Sequence, residues 1–144
     1  MTDDRAPRPT PTDATPEQLT ELGAGRLPGM LGITVTAIGE GRIEAEMAVT
    51  PAVLAPNGYL HAASVVALAD TACGLGCRLS LPEGTSGFTT LEQKTSYLGT
   101  ARSGHVRTVA TLAHGGRRTQ VWDAEVFDED GLRIALFRCT QLML

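Results

Sequence analysis

Basic residues are too few in this chain to form an excess. Lys and Arg number 12 against 16 Asp and Glu, which gives a formal charge of −4 and a pI near 5.3. That balance leaves no electrostatic footprint for nucleic acid or for an anionic membrane surface. Aromatic residues are also scarce, at 4%, while the hydrophobic share of 42% is ordinary for a globular domain. The three cysteines, Cys73, Cys77 and Cys139, are odd in number and scattered, which excludes a secreted disulfide framework. No His or further Cys stands near Cys73 and Cys77 at ligand spacing, so buried free thiols are expected and no metal site. The start, Met1-Thr2-Asp3-Asp4-Arg5, has neither the basic head nor the apolar core of a signal peptide, and a cytoplasmic location is expected. No internal repeat is visible, and 144 residues suit one domain able to bury a core.

The informative region is Pro56-Asn57-Gly58-Tyr59-Leu60-His61-Ala62-Ala63-Ser64 and the apolar run behind it. A Gly-bearing turn delivers the chain into a helix that runs from Ala62 to Leu79 with only two charges, Asp70 and Arg78. The residues three and four positions from Asp70 are Val66, Ala67, Cys73 and Gly74, none of which can neutralise it. Arg78, eight residues on, is about 12 Å away along a helix axis and out of reach. A carboxylate removed from water without a partner costs several kcal/mol or more. Asp70 therefore needs a partner from elsewhere in the fold, or it lines a cleft. The run is long enough to invite a membrane reading, but a central Asp with Gly74 and Gly76 inside it argues against one.

The remaining chain reads as strands around that helix. Residues 1–16, rich in Pro, Thr and Asp, are expected to be a disordered leader, and 17–144 a single domain that includes a short N-terminal helix. That helix has Thr15 as N-cap, Pro16 at its first position and Gln18 at the capping-box position, and is expected to end near Gly23 or Gly25. A loop and a first strand follow over Leu27–Ala37. Gly41–Val49 alternates, with Ile43, Ala45, Met47 and Val49 on one face. After the helix come strands over Phe88–Leu98, Val106–Ala113, Thr119–Phe127 and Arg133–Leu142, with turns at Gly115-Gly116 and Asp128–Gly131. The expectation is an α+β domain with a curved antiparallel sheet wrapped around the helix and a second subunit sealing what the sheet leaves open.

This order of elements, with Gly58-x-x-His61 at the helix entrance, resembles the hotdog fold. It is similar to the thioesterases of the phenylacetate-pathway (PaaI-like) group, relatives of one class of 4-hydroxybenzoyl-CoA thioesterases. The family pattern is Gly, two residues, His-Gly-Gly, then an apolar helix with an acid nine positions after the His; here these are Gly58, His61 and Asp70. The resemblance covers roughly residues 28–144. His-Gly-Gly is replaced by His61-Ala62-Ala63, and the family's amide six positions before the His is replaced by Ala55, with Asn57, the nearest amide, as the catalytic candidate to stand in for it if the loop places it differently.

The resemblance implies an acyl-CoA thioesterase acting on a small to medium acyl group, aromatic ones included, with CoA as part of the substrate and no separate cofactor. The N–H of Ala62, helped by that of Ala63, would polarise the thioester carbonyl, since a helix N-terminus offers unpaired donors and partial positive charge. Asp70 from the facing subunit would act as base or nucleophile in a homodimer or dimer of dimers. Thr90 would orient water, and Arg117, Arg118 or Arg102 would meet CoA phosphates. The same residues carry structural readings: Asp70 as a buried acid hydrogen-bonded to backbone, His61 as a cap for the turn, Asn57-Gly58 as a tight turn, Thr90 as a hydroxyl paired within the sheet, Arg117-Arg118 as a solvated turn. A non-catalytic acyl-CoA or hydrophobic-ligand binding module is the alternative function. A hydratase on the same scaffold is a third, though His61 and Asp70 lack acid–base pair spacing.

Overall fold

The computed structural model describes residues 13–144; most of the expected leader, residues 1–12, lies outside the described residues. Helix α1 (Pro16–Glu21) opens on a complete capping box. Thr15 Oγ1 accepts from the Gln18 N–H at 3.2 Å, and the Thr15 N–H donates to Gln18 Oε1 at 3.0 Å. It ends sooner than the glycines suggest, and a single-turn helix α2 (Leu27–Met30) follows where a loop was expected. Pro28-Gly29 reads as a breaker in sequence, yet Pro is tolerated in a first helical turn. Gly29 is required there, because a Cβ would collide with the carbonyl of Gly23.

Strands β1 (Thr34–Gly39) and β2 (Arg42–Ala48) form a hairpin, with Ile43, Ala45 and Met47 buried as the alternation predicts. Helix α3 (Ala62–Leu79) then crosses the sheet. Strands β3 (Phe88–Tyr97), β4 (His105–Gly115), β5 (Thr119–Phe127) and β6 (Arg133–Met143) complete it. The six strands are antiparallel throughout, in the order β1-β2-β4-β5-β6-β3. Chain order alone would set β3 beside β4. Instead β3 pairs with β6 at the far edge, and residues 98–104 return the chain to the centre of the sheet. Irregular registers at Val35/Ala37, Thr90/Glu92 and Leu112/His114 bend the strands around α3.

The core sits between the sheet and one face of α3, where Val65, Leu68, Ala69, Ala72, Cys73 and Cys77 meet Ile43, Met47, Val106 and Trp122. Gly76 faces the Trp122 indole, and a Cβ at that position would collide with the ring. The missing side chain is what lets the helix lie down on the sheet. Long and apolar enough to cross a bilayer by composition, α3 spends that apolarity on the sheet. Its other face, with Val66, Ala67, Asp70 and Gly74, is only half-buried. Strand β3 alternates little, and Leu91, Tyr97 and the adjoining Leu98 are exposed beside an open strand edge. The three cysteines are buried free thiols as expected. Burial first and Cys139 second push the Cys77 thiol up to about 12, so it is not a ready nucleophile.

Candidate active site

The turn before α3 is fastened from several sides. Gly58 N–H donates to the Ala55 carbonyl at 2.9 Å, and Asn57 Oδ1 accepts from the Tyr59 N–H at 3.1 Å. Gly58 sits at φ +85°, where L side chains are strained. Leu60 N–H donates to the Ala101 carbonyl and His61 N–H to that of Val53. The chain thus enters the helix in one fixed direction. Asn57 lies in this turn with its carbonyl committed to the backbone.

His61 is the N-cap of α3: its Nδ1 accepts from the Ala63 N–H at 2.9 Å. Two consequences follow. The proton of the neutral ring lies on Nε2, leaving that atom a donor. The Ala63 amide is consumed by the cap, so it is not available to help Ala62. The Ala62 N–H itself has no acceptor among the described residues. One free, exposed amide therefore remains at the positive end of an 18-residue helix.

Asp70 stands two turns further on, half-buried. Its missing partner is Gln93, whose Nε2 donates to Oδ1 at 2.6 Å. Burial raises the carboxyl above its ordinary value, and the Gln93 bond opposes that rise. Four residues along the same strand, Tyr97 Oη donates to the Ala62 carbonyl at 2.9 Å. Four residues of strand span about 13 Å, and the eight helical residues between Ala62 and Asp70 span about 12 Å. Strand β3 thus runs antiparallel to α3 and fastens it at both Ala62 and Asp70. Neither Gln93 nor Tyr97 was singled out from sequence. The signal available was their shared face of a strand, but which strand lies along α3 is a fact of topology.

The other expected residues fall elsewhere. Thr90 Oγ1 donates to Gln141 Oε1 at 2.8 Å, so its proton is committed within the sheet. Arg117 and Arg118 lie at the β4–β5 turn, where Arg118 O accepts from Met143 N–H and nearby Gln120 Nε2 donates to the Ser80 carbonyl. That is the C-terminal end of α3, opposite His61. Arg102 is the cation beside the helix entrance: its guanidinium stacks on the Tyr59 ring 4.8 Å from the centroid. An apolar pocket of about 270 Å³ opens at the same end, lined by Leu27, Leu31, Leu54, His61 and Ala67. The larger groove, about 580 Å³, lies on the outer face of the sheet among ion-paired Asp123–Arg138 and Glu125–Arg133, on the opposite side from α3.

A six-stranded antiparallel sheet folded over one long helix, with a free amide at its start and a carboxylate on its open flank, defines a hotdog-fold hydrolase scaffold. The profile of the thioesterase superfamily matches residues 57–135, from the turn before α3 into β6. The 1,4-dihydroxy-2-naphthoyl-CoA hydrolase of Escherichia coli is 35% identical over 130 residues, 90% of this chain and 95% of that protein. The proofreading thioesterase EntH of Cronobacter sakazakii is 32% identical over 90% of this chain and 94% of its own length. Among solved structures, a thioesterase of Haemophilus influenzae superposes with a TM-score of 0.87 at 34% identity, covering 93% of each chain. The chain belongs to the thioesterase superfamily, with the hotdog fold, and is a thioester hydrolase.

Proposed function

We propose that the protein hydrolyses acyl-CoA thioesters carrying a small to medium aromatic acyl group, at a site assembled from two copies of the chain. One observation carries this reading. The free Ala62 amide and the Asp70 carboxylate lie about 12 Å apart on the same rigid helix, too far to act on one carbonyl, so each needs the other from a facing copy. The open edge at β3, with Leu91, Tyr97 and Leu98 exposed beside it, supports a dimer along that side.

The thioester carbonyl accepts from the Ala62 N–H of one copy, with His61 Nε2–H a second donor at the same helix end. The Asp70 carboxylate of the other copy either takes a proton from the attacking water and passes it to the departing CoA sulfur, or attacks the carbonyl carbon to form a mixed anhydride, which water then hydrolyses, supplying the proton that the CoA thiolate takes up. The C–S bond breaks, CoA leaves as the thiol, and the acid product follows; no cofactor is consumed. An amide donor of this kind is worth about 3 kcal/mol in the transition state. The acyl group occupies the pocket lined by Leu27, Leu31 and Leu54, and an aromatic acyl fits the name of the E. coli relative. Arg102, beside the entrance, is the better placed cation for CoA phosphates, with Arg117 and Arg118 further off. Three buried, unpaired thiols suit a reducing cytoplasm.

The test is thiol release across a panel of acyl-CoAs, with Asp70→Ala as control. Turnover concentrated on aromatic acyl groups and lost in Asp70→Ala is the expected result. Tight binding without turnover across the panel would establish the binding module instead.

A further inference from the structure

We propose that Gln93 is the positioning residue of this reaction: its side-chain amide holds one oxygen of Asp70 and so presents the other to the thioester in the shared cleft. The proposal rests on the reading of Asp70 as the acting carboxylate and adds how that group is aimed. Among the described residues, Gln93 Nε2 is the side-chain donor to Asp70, at 2.6 Å on Oδ1, and it leaves Oδ2 for chemistry. The residues three and four positions away on α3 offer no side-chain amide or cation. Without Gln93, the carboxylate would be free to rotate about its own side-chain torsions on a half-buried helix face.

Two features make the contact more than a surface hydrogen bond. Gln93 comes from the edge strand whose next same-face anchor, Tyr97, holds the Ala62 carbonyl, so the strand that grips the carboxylate is itself fastened to α3 at a second point and cannot swing away from it. An amide also cannot titrate, so it donates to Asp70 throughout the working pH range, unlike a Lys or His in its place.

Among the described residues, the thiols of Cys73, on the same helix, and Cys139, on β6, act electrostatically with Asp70. Arg78 lies eight residues away along α3, and toward α3 strand β3 presents Gln93, Thr95 and Tyr97 with no charge among them. These surroundings are the same in wild type and in Gln93 variants, so the comparison isolates the amide.

The experiment replaces Gln93 in the full-length protein by Met, which keeps length and removes the donor, and by Glu, which adds a second carboxyl. Carboxyl ¹³C NMR follows the titration of Asp70, and acyl-CoA hydrolysis gives kcat and KM against pH. In Gln93→Met the Asp70 titration moves to higher pH, the acid limb of kcat moves with it, and kcat at pH 7 falls about tenfold while KM changes little. In Gln93→Glu the two carboxyls share a proton, and the acid limb moves higher still. A Gln93→Met protein that titrates and turns over like wild type, alongside an inactive Asp70→Asn, overturns the positioning role alone. Full turnover in Asp70→Asn refutes the acting carboxylate itself, and the role of Gln93 falls with it.

Discussion

Replacing Ala62 by proline removes a single hydrogen atom from the proposed chemistry and little else. Ala62 is the first residue of α3, where proline is well tolerated because its fixed φ suits the helix and the missing N–H has no intrahelical partner. The residue before a proline must be extended, and His61 already sits at φ −66°, ψ 135°. The Ala62 carbonyl, which accepts from Tyr97, is retained, as is the cap from His61 to Ala63. Thermal unfolding should therefore stay close to wild type. Loss of one oxyanion donor of this kind costs about 10²–10³ in kcat, and because the donor acts on the transition state, KM should move much less. The assay is free-thiol release at saturating acyl-CoA, with circular dichroism to confirm the fold. A kcat within a factor of about three of wild type would refute the assignment of this amide.

Further outcomes follow from the same geometry. Asp70→Asn should lower kcat by about 10²–10⁴ while preserving the fold, because an Asn carbonyl still accepts from Gln93. Its stability effect has a definite sign: the folded carboxyl is raised above 3.8, so the ionised form is the disfavoured one. Asn should then be as stable as wild type or more stable at pH 7, with the advantage fading as pH falls through the raised value toward 3.8; denaturant unfolding at several pH values checks this. Gly76→Ala should destabilise by about 1–3 kcal/mol through its collision with Trp122, seen as a lower Tm with near-normal turnover in the cold. Single turnover of wild type in ¹⁸O water tests the nucleophilic route: ¹⁸O found in the Asp70 side chain establishes Asp70 as the nucleophile, since water activated by a base delivers its oxygen to the product acid alone.

How much of this was legible beforehand depends on how local each signal is. The bounds of α3 and the buried face of β2 follow from composition and alternation over adjacent residues, and they stand as read. The residues of single-turn α2 read as a loop in sequence, because Pro28 and Gly29 are poor helix formers and their packing on Gly23 is visible only in three dimensions. The placement of β3 beside β6 was likewise out of reach. Nothing in Phe88–Tyr97 names its partner strand, and without that placement the Gln93–Asp70 and Tyr97–Ala62 contacts cannot be found. Asp70 announced itself as a carboxylate in need of a partner, yet the partner lay 23 residues away. Arginines at turns carry no local mark of which end of the helix they reach, so that Arg102 lies beside the helix entrance and Arg117-Arg118 at the far end is visible only in the fold.

The sharing of one site between two chains is tested most directly by mixing two disabled proteins. Asp70→Asn lacks the carboxylate and Ala62→Pro lacks the amide, and each alone should be nearly inactive. After unfolding and refolding together in equal amounts, half of the dimers should be mixed, each with one intact site of two. Activity should then recover to about a quarter of wild type. A mixture shown to contain mixed dimers, yet no more active than its components, would contradict the account.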